Sequence, residues 1–148
     1  MSGNKFRVRV AVVGVVAAAA GILGAVTPSE ASARVEGIAI GTYPGYGSVA
    51  GHYGAGCTYK VAAMVDDTAP SAQRVSITSR RLGGPAVRLV DVKPTRRVVS
   101  ANWTPPAPGT YVLTATQGSS SRSLRAQVGT GVQFPPFFGR GQCAVLIP

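Results

Sequence analysis

Few side chains in this sequence could perform chemistry. The chain has one histidine, two cysteines and five acidic residues among 148 residues. A serine hydrolase would have to combine a serine with His52 and an orienting carboxylate from Asp66, Asp67 or Asp91. The sequence has no Gly-x-Ser-x-Gly segment to present the nucleophile, and His52 lies in a glycine-rich stretch. A small hydrolase that uses His52 is therefore only a remote alternative.

The acidic residues are weak candidates for other reactions. A glycosidase would need two carboxylates from Glu36, Asp66, Asp67 and Asp91. Asp66-Asp67 lies just before Ala69-Pro70, and aspartates in such a position are typical of a turn. Calcium usually takes at least about six oxygen ligands, and two cysteines with one histidine cannot complete a tetrahedral zinc site. We predict no catalytic, cofactor-binding or metal-binding residues.

The first 33 residues have the features of a secretory signal peptide. Three basic residues in the first nine positions precede an uncharged apolar run at 10–26, and Ala31-Ser32-Ala33 offers the small residues that signal peptidase accepts. We place the cleavage after Ala33, so that the mature domain spans 34–148. An uncleaved anchor is the alternative, since an apolar run of about 17 residues is near the minimum for a transmembrane helix.

The predicted mature chain is strongly basic. The full chain carries a net charge of +10, and removal of the signal peptide takes away three basic residues and Glu30, which leaves +8. Most of the remaining cations are arginines, which bind carboxylates and phosphates in a bidentate manner. Outside the cell we expect anionic envelope components or an extracellular protein as partners, and no nucleic acid. The alternative is that the charge only keeps an exported protein soluble.

The two cysteines are expected to form a disulfide. Cys57 and Cys143 are the only cysteines in a chain that we expect to be exported. Closing so long a loop would stabilise the fold by at most about 4–5 kcal/mol. The alternatives are a reactive thiol or a metal ligand acting with His52.

The rest of the chain has the pattern of short strands. Glycine and proline interrupt it at short intervals, and the segments between are rich in Val, Thr and Tyr. From Cys57 to Val65 every second residue is apolar or cysteine, which predicts one buried face. The predicted strands are 35–42, 57–65, 74–79, 86–92, 97–103, 110–116, 124–128 and 143–147, with loops at 43–56 and 129–142.

About seven short strands predict an all-β fold, an immunoglobulin-like antiparallel β-sandwich. Antibody domains carry a cysteine two residues after a conserved tyrosine, but this chain has Leu113 after Tyr111. The disulfide therefore cannot be the usual bond between the two sheets. Tyr111 is still a candidate for the tyrosine corner of such folds.

Several short motifs occur in a specific order along the chain. They are GCTYKV at 56–61, NWTP at 102–105, PGTYVLTATQ at 108–117, VGTG at 128–131 and QCAVLIP at 142–148. In this order they resemble small secreted immunoglobulin-like proteins of mycolic-acid actinobacteria. The resemblance covers residues 49–148 and implies the fold, export and paired cysteines. It brings no established activity and no catalytic residues.

Two groups of residues are candidates for binding. The first is a set of arginines: Arg74, Arg80, Arg81, Arg88, Arg96 and Arg97. The pairs Arg80-Arg81 and Arg96-Arg97 lie near the ends of predicted strands, so we expect them to form one anion-binding rim. A merely solvated face is the alternative.

The second group is aromatic. Tyr43, Tyr46 and Tyr53 precede the first cysteine, and Phe134, Phe137 and Phe138 precede the second. A disulfide would bring these loops together, and the aromatic surface could stack on sugars or contact a protein. The alternative is a local core that covers one end of the sandwich.

The sequence thus predicts a secreted, non-enzymatic immunoglobulin-like module that binds or has a structural role at the cell envelope or outside the cell. The main alternative is a secreted effector or inhibitor that binds a host or competitor protein through the aromatic loops. No cofactor is expected, and no membrane span after cleavage.

Overall fold

The computed structural model describes residues 33–41, 51–137 and 142–147. The predicted signal peptide, apart from Ala33, lies outside these ranges, as do Tyr43, Tyr46 and Phe138. The described strands are β1 (Val35–Gly41), β2 (His52–Ala55), β3 (Tyr59–Val65), β4 (Val75–Arg81), β5 (Ala86–Val92), β6 (Val98–Trp103), β7 (Gly109–Gln117), β8 (Ser120–Gln133) and β9 (Cys143–Ile147). Within the described ranges, no helix is long and apolar enough to cross a membrane.

The strands form two sheets. One sheet has three strands in the order β1-β3-β6, and the other has six, in the order β2-β8-β7-β4-β5 with β9 also paired to β8. The pairing is antiparallel throughout, except that β2 runs parallel to β8. The predicted all-β fold is confirmed. The prediction that all strands pair antiparallel is wrong for one pair, because β2 is parallel to β8.

The core lies between the sheets, where the alternation along the strands predicted it. In β3, Val61, Ala63 and Val65 are fully buried, whereas Met64 is 45% exposed. Ile77 of β4 and Leu113 of β7 complete the other side of the same apolar cluster, together with Ala115 and the cysteines. Period-two patterning places these side chains on the inner faces because successive residues of a strand point to opposite sides.

Two segments that were predicted to be loops contain strand residues. The predicted loop 43–56 includes β2, and β8 continues to Gln133 instead of ending near Val128. Glycine-rich sequence normally indicates a loop, but here glycine permits close packing of two strands. A Cβ atom at Gly54 would lie 2.6 Å from the Cα atom of Gly131 and 2.9 Å from the sulfur of Cys143.

The sandwich has two distinct ends. We name them the disulfide end, with Cys57 and the paired residues Arg81 and Tyr111, and the Asp91 end, with the paired residues Val75 and Val92. β4 runs from one end to the other, and its seven residues span about 20 Å. Residues at the two ends therefore cannot share one small binding site.

Candidate functional site

An apolar cleft opens beside β5 at the disulfide end. β5 and β6 are edge strands of the two sheets, and the three-stranded sheet is too narrow to cover the inner face of β5. A cavity of about 510 Å³ lies there, lined by Val87, Leu89, Trp103, Tyr111 and Arg81 among others. Val87 is 59% exposed although it pairs with buried Ser79. We call this cavity the Arg81 cleft.

Two buried aromatic rings form the floor of the Arg81 cleft. Trp103 from β6 and Tyr111 from β7 pack edge to face across the two sheets, with ring centroids 5.6 Å apart. The Tyr111 hydroxyl donates a hydrogen bond of 2.9 Å to the carbonyl oxygen of Ala107. This bond holds the β6–β7 connection against β7, so that Pro106 and Ala107 form one wall of the cleft.

The aromatic cluster continues from Trp103 towards the disulfide. The rings of Tyr53 and Tyr59 pack against Trp103 and against each other. The Tyr59 hydroxyl accepts a hydrogen bond of 2.6 Å from the backbone N–H of Gly54 and donates one of 3.4 Å to the sulfur of Cys143. Burial raises the pKa of both Tyr53 and Tyr59 above 10.0. Both phenols are therefore neutral at physiological pH.

Arg81 supplies the charge at the cleft. It pairs with Tyr111 across β4 and β7, so both side chains lie on the inner face. Its guanidinium lies against the backbone at Gly109, where an added Cβ atom would be only 2.8 Å from Nε. The ion pairs recorded for the described residues are those of Arg74 and Arg88 with Asp91, and none involves Arg81.

The predicted anion-binding rim is not assembled. Arg80 follows the alternation of β4 and points away from the inner face that Arg81 occupies. Arg96 and Arg97 lie in the connection that leads into β6 at the Asp91 end, where the backbone N–H of Val65 donates to the carbonyl oxygen of Arg97. The two pairs do not form one shared rim, because Arg81 lies opposite Tyr111 at the disulfide end, whereas Arg97 lies beside Val65 at the other end of the sandwich.

The acidic residues have structural partners at the Asp91 end. Asp91 bridges Arg74 at 2.6 Å and Arg88 at 3.4 Å. Asp66 and Asp67 accept hydrogen bonds from the backbone N–H groups of Arg34 and Ala69, as turn residues do.

His52 lies away from these carboxylates. It is in β2, paired with Gln127 of β8. Gln127 pairs in turn with Thr110, next to Gly109 at the disulfide end. Within the described ranges, no group of three or more His, Cys, Asp or Glu side chains could hold a metal ion.

The disulfide between Cys57 and Cys143 is present, with Cα atoms 5.8 Å apart. It joins the segment before β3 to β9 and indicates an oxidising environment for the folded protein. Of the predicted aromatic contacts, Tyr53 is a core residue at 6% exposure, so the local-core alternative holds for it. Phe137 is 91% exposed, and Phe134 is half-buried.

The sequence pattern did not predict the cleft. One signal was available, since Val75, Ile77, Ser79 and Arg81 alternate along one strand and place Arg81 on the inner face. That no strand of the described ranges lies opposite Val87 and Leu89 has no such signal, because it depends on the widths of both sheets.

Comparison with known proteins adds no assignment. No protein-family model matches the chain, and no curated protein is significantly similar to it in sequence.

Proposed function

We propose that this protein is an exported, non-enzymatic binding module with an immunoglobulin-like fold, and that the Arg81 cleft holds a small ligand. The cleft carries the proposal. Its volume of about 510 Å³ falls within the range of roughly 300–1,000 Å³ that is typical of ligand sites. Its walls are mainly apolar and include one charged side chain, that of Arg81, which is the usual composition of such sites.

The order of the strands supports the immunoglobulin-like assignment. A sheet β1-β3-β6 facing a sheet built on β8-β7-β4-β5 has the strand arrangement of such sandwiches. The hydrogen bond from Tyr111 to the backbone four residues upstream has the geometry of a tyrosine corner. The disulfide departs from the antibody pattern because it links the start of β3 to β9 and leaves Leu113 in the core.

The placement of the polar groups supports a non-enzymatic role. His52 lies at the disulfide end, whereas Asp66, Asp67 and Asp91 lie at the Asp91 end. General acid–base catalysis requires such groups within hydrogen-bonding reach of one substrate. The carboxylates instead accept hydrogen bonds within turns or form ion pairs.

Ligand binding in the cleft can be tested with a neutral apolar dye such as Nile red. We expect its fluorescence to rise on binding, and Val87→Gln to weaken that binding about fivefold, because a polar side chain would replace part of the apolar wall. Val92→Gln is the matched control, since Val92 lies on the same strand at the opposite end. Equal binding by both variants, or no binding to the wild type, would overturn the proposal.

Export is tested by fractionation of the producing cells. We expect the protein in the wall, membrane or medium fraction, with Arg34 as its first residue by mass spectrometry. If arginines hold it on an anionic envelope, washing at 1 M salt should release it, because the screening length then falls to about 3 Å. Full-length protein in the cytosol would contradict the export proposal.

A second candidate function is protein binding through the β8–β9 connection. Phe137 favours it, since its phenyl ring is 91% exposed and offers a large apolar contact surface to a partner. This contact would be nearly insensitive to salt. Retention on cells that survives the salt wash and is lost in Phe137→Ala would support this function, and salt-resistant retention unchanged in Phe137→Ala would exclude it.

A further inference from the structure

We propose that the ligand of the Arg81 cleft is a medium-chain fatty acid whose carboxylate pairs with Arg81. The inference rests on the proposed function, because it assumes that the cleft binds a ligand, and it adds the chemical class of that ligand. The hydrocarbon chain would lie against Val87, Leu89 and the edge of Trp103.

The charge of the site selects an anion. Arg81 lies beside the cleft, and the described acidic residues are remote from it. Asp66 and Asp91 lie at the Asp91 end, and Glu36 follows Val35, which pairs with Val65 near that same end. A guanidinium binds a carboxylate through two parallel hydrogen bonds, so a single carboxylate would satisfy it well.

Arg81 is exposed and lines the cleft, so its charge faces both the solvent and the apolar walls. Gly109 has a φ of 140°, and its missing side chain leaves room for the guanidinium against the backbone. This contact holds the charge at the edge of the apolar walls. An anionic group that also carries an apolar body can therefore make both contacts at once.

The walls select a long apolar body. The cleft of about 510 Å³ can hold a medium-chain acyl group, because twelve carbon groups of roughly the size of a water molecule occupy about 360 Å³ at about 30 Å³ each. A lipid with two long chains would exceed this volume. Inorganic phosphate would fill the charged corner and leave Val87 and Leu89 in contact with water.

The experiment uses dodecanoate, followed by calorimetry and by the fluorescence of Trp103, the only tryptophan of the chain. Dodecanol, with the same chain and no charge, tests the head group, and all probes are kept below their micelle-forming concentrations. We expect dodecanoate to bind at least about tenfold more tightly than dodecanol. Arg81→Gln should weaken dodecanoate binding about ten- to hundredfold and leave dodecanol unchanged.

The neighbouring arginine is the matched control. Arg80→Gln removes the same charge from the outer face of the same strand, so it should change dodecanoate affinity by less than about twofold. Arg81→Lys keeps the charge and loses the bidentate geometry, so it should bind with intermediate affinity. This variant also serves if Arg81→Gln does not fold, which circular dichroism would reveal.

The outcomes separate the two proposals. If dodecanol and dodecanoate bind equally and neither Arg81 variant changes their affinity, the fatty-acid inference fails while ligand binding in the cleft stands. Equal losses in Arg80→Gln and Arg81→Gln would also overturn it, because attraction would then come from overall charge. If neither these probes nor Nile red bind, both proposals fail.

Discussion

Arg81 and Tyr111 lie directly opposite each other on β4 and β7, and both line the cleft between the edges of the two sheets. The guanidinium lies against the backbone at Gly109, while the Tyr111 hydroxyl turns to the carbonyl oxygen of Ala107. Because the phenol is engaged by the backbone, its ring presents an apolar surface beside the charge. One cross-strand pair thus combines the two properties that an amphipathic anion requires.

A side chain at position 109 should displace Arg81. Gly109→Ala would place a Cβ atom 2.8 Å from the Arg81 Nε atom, at a φ of 140° that L-residues rarely adopt. We expect the free energy of unfolding to fall by about 1–3 kcal/mol, together with weaker dodecanoate binding. Gly83→Ala is the control, since Gly83 has a φ of 79° and no atom within 4 Å of an added Cβ. If both variants lost stability equally and dodecanoate binding were unchanged in Gly109→Ala, the contact between Arg81 and Gly109 would be contradicted.

Gln117 should stabilise the Asp91 end of the sandwich. It is fully buried, and its amide nitrogen donates to the carbonyl oxygens of Asp67 and Gln73. Gln117→Leu leaves both acceptors without this donor, so urea denaturation should show a loss of about 1–3 kcal/mol. Gln127→Leu, at an exposed site, should cost much less. Equal losses of stability in Gln117→Leu and Gln127→Leu would mean that the two hydrogen bonds of Gln117 add nothing to the free energy of unfolding.

The disulfide should contribute strongly to stability. Reduction of the bond between Cys57 and Cys143, or the double change to alanine, should lower the free energy of unfolding by about 2–5 kcal/mol. The physical reason is that the bond closes a long loop in the unfolded chain. Thermal unfolding with and without a reductant measures this, and unchanged melting of the reduced protein would count against it.

Alkaline pH should destabilise the aromatic cluster. Burial raises the pKa of Tyr53 and of Tyr59 above the ordinary value of 10.0, and the charge of Tyr59 raises that of Tyr53 further. The folded state therefore holds these protons more tightly than the unfolded state, so their contribution is complete below pH 10 and is lost as the pH rises through the higher folded values.

The tyrosine effect can be isolated with one substitution. Tyr53→Phe removes one of the two phenols and should make stability less dependent on pH above 10, as measured by urea denaturation at a series of pH values. Tyr111→Phe is a comparison, because it removes a phenol whose hydroxyl holds the β6–β7 connection. It should lower stability at neutral pH by about 1 kcal/mol. An unchanged pH profile in Tyr53→Phe would refute the assignment.

Local patterns in the sequence predict most of the core. The alternation in β3 and β7 identifies Val61 and Leu113 as buried, because the side-chain period of a strand is two whatever its partners are. The turn between β7 and β8 follows from Gly118, whose φ of 58° suits a tight hairpin. The two cysteines pair as expected in the folded chain.

The sequence by itself therefore determined most of the strands, the buried faces of β3 and β7, and the disulfide, since each depends on neighbouring residues or on a count. Only the tertiary structure decided that β2 and the end of β8 pair, because their glycines gain strand geometry through contact with each other. It also separated Arg81 from Arg97, since Arg81 pairs with Tyr111 in one sheet, whereas Arg97 leads into β6 of the other sheet, beside Val65 at the opposite end. The cleft exists because a three-stranded sheet faces a wider one, a relation that no local segment encodes.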